Sequence, residues 1–170
     1  MSRVLLILRH AKSSWDSDAD SDFDRPLAER GERDAPRMGA WMKAQGWIPD
    51  YVISSPARRA AQTVQAVCAA LDLDTKQIHW DERIYGAYDR ELMQLLAEIP
   101  ADAKCVLLAG HNPGLEDLLS HLWGKNAQVP ANGKLMPTAA LAQVELPDDW
   151  QQLSEGVAWK VTVIRPKEID

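Results

Sequence analysis

Three short apolar runs mark out the chain: Val4 to Leu8, Tyr51 to Ile53, and Cys105 to Ala109. Unbroken runs of this length, closed by turn chemistry, read as strands buried on both faces. Each is followed by a helical pattern. Met38 and Met42 anchor a helix predicted from about Arg33 to Gln45. Behind Ser55-Pro56, which supplies an N-cap and a first-position proline, Ala57, Ala60, Ala61, Val64, Val67, Cys68 and Leu71 recur at helical spacing. Leu115, Leu118, Leu119 and Leu122 mark another helix, and Leu92, Leu95, Leu96 and Ile99 a shorter one. Residues 140–146 and 157–164 read as two further strands that form a sheet edge, separated by the polar "PDDWQQLSEG". Buried strands alternating with helices predict an α/β fold, a three-layer sandwich whose mostly parallel central sheet is covered by helices on both faces.

The 170 residues suit a single domain, 1–170, without a linker. A formal charge of -6 argues against a basic nucleic-acid surface, so an anion must be held by a local cluster of cations. The seven tryptophans show no spacing that would build a base-stacking platform. The amino-terminal residues lack a basic, then long apolar, leader pattern, and no stretch approaches the ~20 apolar residues of a membrane span. A cytoplasmic protein is expected, with no membrane and no nucleic-acid partner. Cys68 and Cys105 lie in apolar patterns without CxxC spacing and are expected to be buried reduced thiols.

The first apolar run ends in Arg9-His10, the second leads through "SSPARRAAQT", and the third ends in "GHNPGL" with His111. In open α/β sheets ligands bind beyond the carboxyl ends of the strands, which is where all three clusters fall. Arginines and histidines gathered at one point repel unless an anion sits among them, and phosphate matches the guanidinium fork. Between the two adjacent arginines, Arg59 shares a helix face with Thr63 and Ala66, whereas Arg58 shares one with Gln62 and Gln65 and reads as a solvated charge. His79, alternating with Ile78 and Trp80, reads as a partly buried strand residue, and His121 on the leucine helix as structural. The aspartates at every second position from Asp16 to Asp24 imitate the opening of a calcium loop, but Phe23 stands where that loop needs glycine and Pro26 falls inside it.

The chain contains no GxxxxGK[ST] loop, no HExxH and no zinc-ligand spacing among its four histidines, so neither metal nor cofactor is expected. Phosphoryl transfer without a metal calls for a nucleophile, and a neutral imidazole is one at physiological pH. His10 is the best placed.

These residues resemble the histidine phosphatase superfamily (phosphoglycerate mutase-like, branch 1), and within it the SixA-type phosphohistidine phosphatases. "LRHAKSSWD" is similar to the nucleophile motif, with Ala11 in place of glycine and Asp16 where mutase-like members carry asparagine. "DFDRPLAERG", "SSPARRAAQT", "DERIYGA" and "GHNPGL" follow in the family's order. The resemblance implies a phosphoglycerate mutase-like fold, His10 as phosphorylated nucleophile, Arg9, Arg59 and His111 as phosphoryl-binding residues, and Glu82 as the proton donor. Ser13 and Asn112 are further candidates for substrate binding. The implied activity is removal of phosphate from a protein phosphohistidine, such as a histidine-containing phosphotransfer domain, by a monomer. The alternatives are a small-metabolite phosphomonoesterase or mutase on the same scaffold, and a non-catalytic phosphate-binding module.

Overall fold

In the computed structural model, which describes residues 2–169, six strands form one sheet. They are β1 (Arg3–Arg9), β2 (Tyr51–Ser54), β3 (His79–Trp80), β4 (Cys105–Gly110), β5 (Leu141–Leu146) and β6 (Lys160–Ile164), in the order β3-β2-β4-β1-β5-β6. Only β5 runs against the rest, since it pairs antiparallel with both β1 and β6. The helices are α1 (Glu29–Gln45), α2 (Arg58–Ala70), α3 (Asp89–Ala97) and α4 (Gly114–Trp123).

Side chains of a strand point alternately to its two faces, and both faces of the central strands are apolar here. Leu5 and Ile7 of β1 join Val106 and Leu108 of β4 under α3 and α4, with Leu92, Leu96, Leu115 and Leu118. Leu6 and Leu8 face the other way with Leu107, against Met38, Met42, Val64 and Val67 of α1 and α2. Burying each of these side chains contributes about 1.5–3 kcal/mol, which holds the two helical layers on the sheet. No helix among the described residues is long and apolar enough to cross a membrane.

The structure differs from the sequence expectations at two element boundaries and in the exposure of His79. The first helix begins at Glu29, four residues before the predicted start, because its first turn is polar and leaves no apolar period to read. That turn is held by tertiary contact instead: the Ala28 amide donates to the Lys12 carbonyl, 2.8 Å away. The last strand is shorter than predicted, because Ala158 donates its amide to Leu122 at the end of α4 rather than to the sheet. At the far edge, two-residue β3 carries His79, which is exposed and stacks flat on Tyr51 with ring centroids 4.4 Å apart.

Gly31 sets how closely α1 approaches the loop after β1, since a Cβ there would lie 2.2 Å from the Lys12 carbonyl oxygen. Gly31→Ala is therefore expected to destabilise the protein by about 1–3 kcal/mol, the usual cost of overpacking. A urea midpoint unchanged from wild type would show that the loop moves aside freely.

Candidate active site

His10 follows β1 and is clamped by its own backbone. Its amide donates to Gly110 and its carbonyl accepts from Ala139, each at 3.0 Å. The side chain is 7% exposed, and its Nδ1 lies 2.8 Å from the Ala11 carbonyl. A carbonyl can only accept, so Nδ1 carries the proton and Nε2 presents a lone pair. The Ala11 amide donates to Thr63 Oγ1 at 2.9 Å, and that hydroxyl donates to the Arg59 carbonyl at 2.6 Å. The loop that follows His10 is thereby braced against the first turn of α2.

His111 follows β4, its ring centroid 5.2 Å from that of His10. Its Nε2 lies 2.8 Å from Ser55 Oγ, which accepts the Ala57 amide at 3.2 Å. The Ser55 hydroxyl can give its proton to Nε2, which leaves Nδ1–H of His111 as a donor. Arg9 Nη1 donates to the Met136 carbonyl at 3.1 Å, and Asn112 Nδ2 donates to the same carbonyl at 2.9 Å and to Glu116 Oε2 at 2.6 Å. Arg59 is 6% exposed and donates from Nη1 to the Asp22 carbonyl (2.7 Å) and from Nη2 to Asp22 Oδ2 (3.0 Å).

Asp22 collects a further set of donors. Tyr85 Oη donates to Oδ2 at 2.7 Å and Arg25 Nε to Oδ1 at 3.0 Å. The Tyr85 hydrogen bond, with those from Arg59 and Arg25, outweighs burial and holds this carboxyl down at about 2. Burial is the main cause of the shift at both imidazoles. It pushes His10 down to about 4, with help from Arg59, Arg9 and Arg25, and His111 down to about 3, with help from His10 and Arg59. Both rings are therefore neutral at pH 7. Arg9 Nε, Arg59 Nε and His111 Nδ1 are buried without a hydrogen-bond partner among the described residues. Buried donors left open in this way suit an anion with several acceptor oxygens.

The structure brings Arg9, His10, Arg59 and His111 together. Glu82 is exposed and opens a short 3-10 turn, Glu82–Ile84, whose buried anchor is Ile84. No hydrogen bond or ion pair among the described residues ties Glu82 to either histidine. Tyr85, just past that turn, packs its ring edge-on against His111 with centroids 5.4 Å apart. Ser13 is buried and accepts Arg25 Nη1 at 3.0 Å, which leaves its own O–H as a donor. The Asn112 amide braces Glu116 and Met136. Arg58 is exposed, Cys68 and Cys105 are free thiols, and burial pushes them up to about 11 and about 12. Among the described residues no group of three or more His, Cys, Asp or Glu side chains is arranged to hold a metal ion. Sequence reasoning missed Asp22, Tyr85 and Ser55 as members of the cluster. All three lie in motifs already singled out, but their partners are distant in sequence.

The sequence pattern of the histidine phosphatase superfamily (branch 1) matches residues 5–105. The chain belongs to that superfamily. The chain is 31% identical over 172 residues to an uncharacterized chloroplastic protein of Arabidopsis thaliana, covering 95% of this chain and 76% of the relative. A structure provisionally assigned as phosphohistidine phosphatase SixA from Agrobacterium tumefaciens is 31% identical, with a TM-score of 0.77 over 86% of this chain and 93% of that one. The protein histidine phosphatase SixA complexed with tungstate has the same fold, with a TM-score of 0.79 at 24% identity over 96% of this chain and 97% of that one. The phosphoglycerate mutase-like sandwich and the SixA type of the superfamily are thus established, and both support phosphatase activity.

The depressed imidazoles fix the sign of an acid effect. Below pH ~6.5 the unfolded chain takes up protons on His10 and His111 that the folded protein refuses until about pH 4 and about pH 3. Stability is therefore expected to fall as pH drops through this window and to be flat above it, with His10 alone accounting for on the order of 3 kcal/mol. Imidazole NMR should show His10 neutral and protonated on Nδ1 down to pH 5. A His10 titration centred near 6.5 would contradict the burial argument.

Proposed function

We propose that the protein hydrolyses phosphorylated substrates in two steps through a phosphohistidine at His10. The observation that carries this reading is the pairing of Nδ1–H with the Ala11 carbonyl, which commits Nε2 of a neutral ring to the pocket where Arg9, Arg59 and His111 meet. In the first step Nε2 bonds to phosphorus as the bond to the leaving group breaks, and the leaving group keeps the electron pair and takes a proton. In the second, water attacks the phosphorus, releasing inorganic phosphate and restoring His10. Arg9, Arg59 and His111 stabilise the charge on the equatorial oxygens, the main source of rate enhancement in phosphoryl transfer. No metal or cofactor takes part.

The proposed substrate is phosphohistidine on a protein. An imidazole leaving group can be protonated from water near neutral pH, so it has little need of the acid that Glu82 was expected to supply. Trp15, beside the nucleophile loop, and Tyr88, three residues beyond Tyr85, are 74% and 63% exposed, and aromatic side chains of this kind anchor protein partners. The second reading, a small-metabolite phosphatase or mutase, is favoured by 38% identity over 96 residues to a 2,3-bisphosphoglycerate-dependent phosphoglycerate mutase of Corynebacterium diphtheriae. That match covers 49% of this chain and 36% of the mutase.

His10→Ala is expected to lower kcat ~10³-fold or more while the protein stays folded, and wild-type enzyme quenched in base should carry an acid-labile phosphate on His10. Retention of a tenth of the wild-type rate would rule out the covalent route. On substrate class, kcat/KM for a histidine-phosphorylated transfer domain is expected to exceed that for phosphoglycerates and sugar phosphates at least tenfold, or about 1.4 kcal/mol of transition-state stabilisation. The reverse ranking would make the protein a metabolic enzyme.

A further inference from the structure

A cleft of about 530 Å³ lies between α1, the loop of residues 132–138 and the carboxyl-terminal residues 165–169. Among the described residues it is lined by six cationic side chains, Arg30, Arg33, Arg37, Lys134, Arg165 and Lys167, and by a single carboxylate, Asp34. On a chain with a formal charge of -6, such a concentration of one sign is a local construction. Asp34 pairs with Arg37 at 3.0 Å and reaches Arg30 at 3.9 Å, and Glu168 lies 3.6 Å from Arg165. Among the described residues those two carboxylates leave most of the positive charge uncompensated. Among the described residues no ion pair engages Arg33, Lys134 or Lys167, and Arg165 Nε is buried without a partner. None of the lining residues belongs to the His10 cluster. The cleft adjoins that cluster through Thr138, which accepts Arg30 Nη2 at 3.2 Å, and its neighbour Ala139, which donates to the His10 carbonyl.

We infer that this cleft is a second anion site, which binds a small, multiply phosphorylated ligand. Each phosphate brings close to two charges and three acceptor oxygens in a few atoms, so several of them can neutralise the cleft within its volume. Arg33 has no hydrogen bond or ion pair among the described residues and offers a planar fork that matches phosphate oxygens two at a time, while Arg30, Arg37 and Arg165 already donate to Thr138, to Asp34 and the Ile169 carbonyl, and to the Leu135 carbonyl, and add their charge. The site is a recess enclosed by three chain segments, which suits a compact ligand better than the flat face of an acidic protein. Filling it does not require His10 to be phosphorylated, so the inference stands or falls apart from the catalytic reading.

The test is isothermal titration of the full chain with sodium tripolyphosphate, inorganic phosphate, and a short poly-glutamate peptide. Tripolyphosphate is expected to bind at least tenfold more tightly than inorganic phosphate or poly-glutamate. The double variant Arg33→Glu/Lys134→Glu changes two exposed side chains and should weaken tripolyphosphate at least tenfold, about 1.4 kcal/mol, with p-nitrophenyl phosphate hydrolysis unchanged. Lys167→Glu, on a different segment, should weaken it several-fold. Arg59→Ala should leave it within twofold. Loss of binding in Arg59→Ala but not in the cleft variants would place the anion in the catalytic pocket and overturn the inference. Poly-glutamate binding as tightly as tripolyphosphate would replace it with an acidic-protein docking site, and no binding of any probe would end it.

Discussion

Positive charge gathered at the end of an apolar sheet is the constraint around which the site is built. Arg9 and Arg59, with Arg25 close by, surround two imidazoles, and a buried cation without partners costs several kcal/mol. The protein relieves this in two ways. Its imidazoles stay neutral, held down by burial and by the neighbouring guanidiniums. Its guanidiniums are held largely by main-chain carbonyls, those of Met136, Asp22 and Ser14, and by the carboxylate of Asp22, with Glu116 attracting Arg9. Carbonyls accept hydrogen bonds without cancelling charge, so the pocket keeps a positive field for an incoming anion.

The sheet explains why the cluster forms where it does. Strands β1 and β4 are apolar on both faces, so polar chemistry can begin only where they end. They lie side by side with Arg9 opposite Gly110, which sets His10 and His111 on adjacent loops. Gly110 has no side chain to hold Ile84 away, since a Cβ there would meet the Ile84 Cγ2 at 2.8 Å. The turn carrying Ile84 can therefore seat against β4 and bring Tyr85 to the edge of His111, while Glu82 at the start of the same turn faces solvent.

Rigidity and reach are divided between the two sides of the pocket. The His10 side is bound to the sheet and to α2 through buried bonds, including Ala11 to Thr63 and Thr63 to Arg59. The opposite side is the loop carrying Asp22, whose side chain is half exposed and which closes on Arg59, Arg25 and Tyr85 through side-chain contacts. Contacts at such a surface are worth less than the buried ones, because water competes for every partner.

Periodicity alone determined the strands and helices of the core, because burying both faces of a strand demands an apolar run and burying one face of a helix demands a recurring stripe. It also singled out Arg59 over Arg58, since helical spacing put only Arg59 on the inward face, and the three strand ends carrying Arg9, His10 and His111 needed no coordinates to be found. Tertiary structure decided what sequence spacing does not encode. Arg9 rests on the carbonyl of a residue 127 positions away, and every residue type has a carbonyl, so no side-chain pattern marks it. Tyr85 rather than Glu82 meets His111 because Ile84 is the buried anchor of their turn, and a polar turn has no period from which to read that choice. The cationic cleft joins three segments whose arginines and lysines are, taken one by one, ordinary surface charges; only the packing of α1 against the loop before β5 and the chain after β6 places them in one recess.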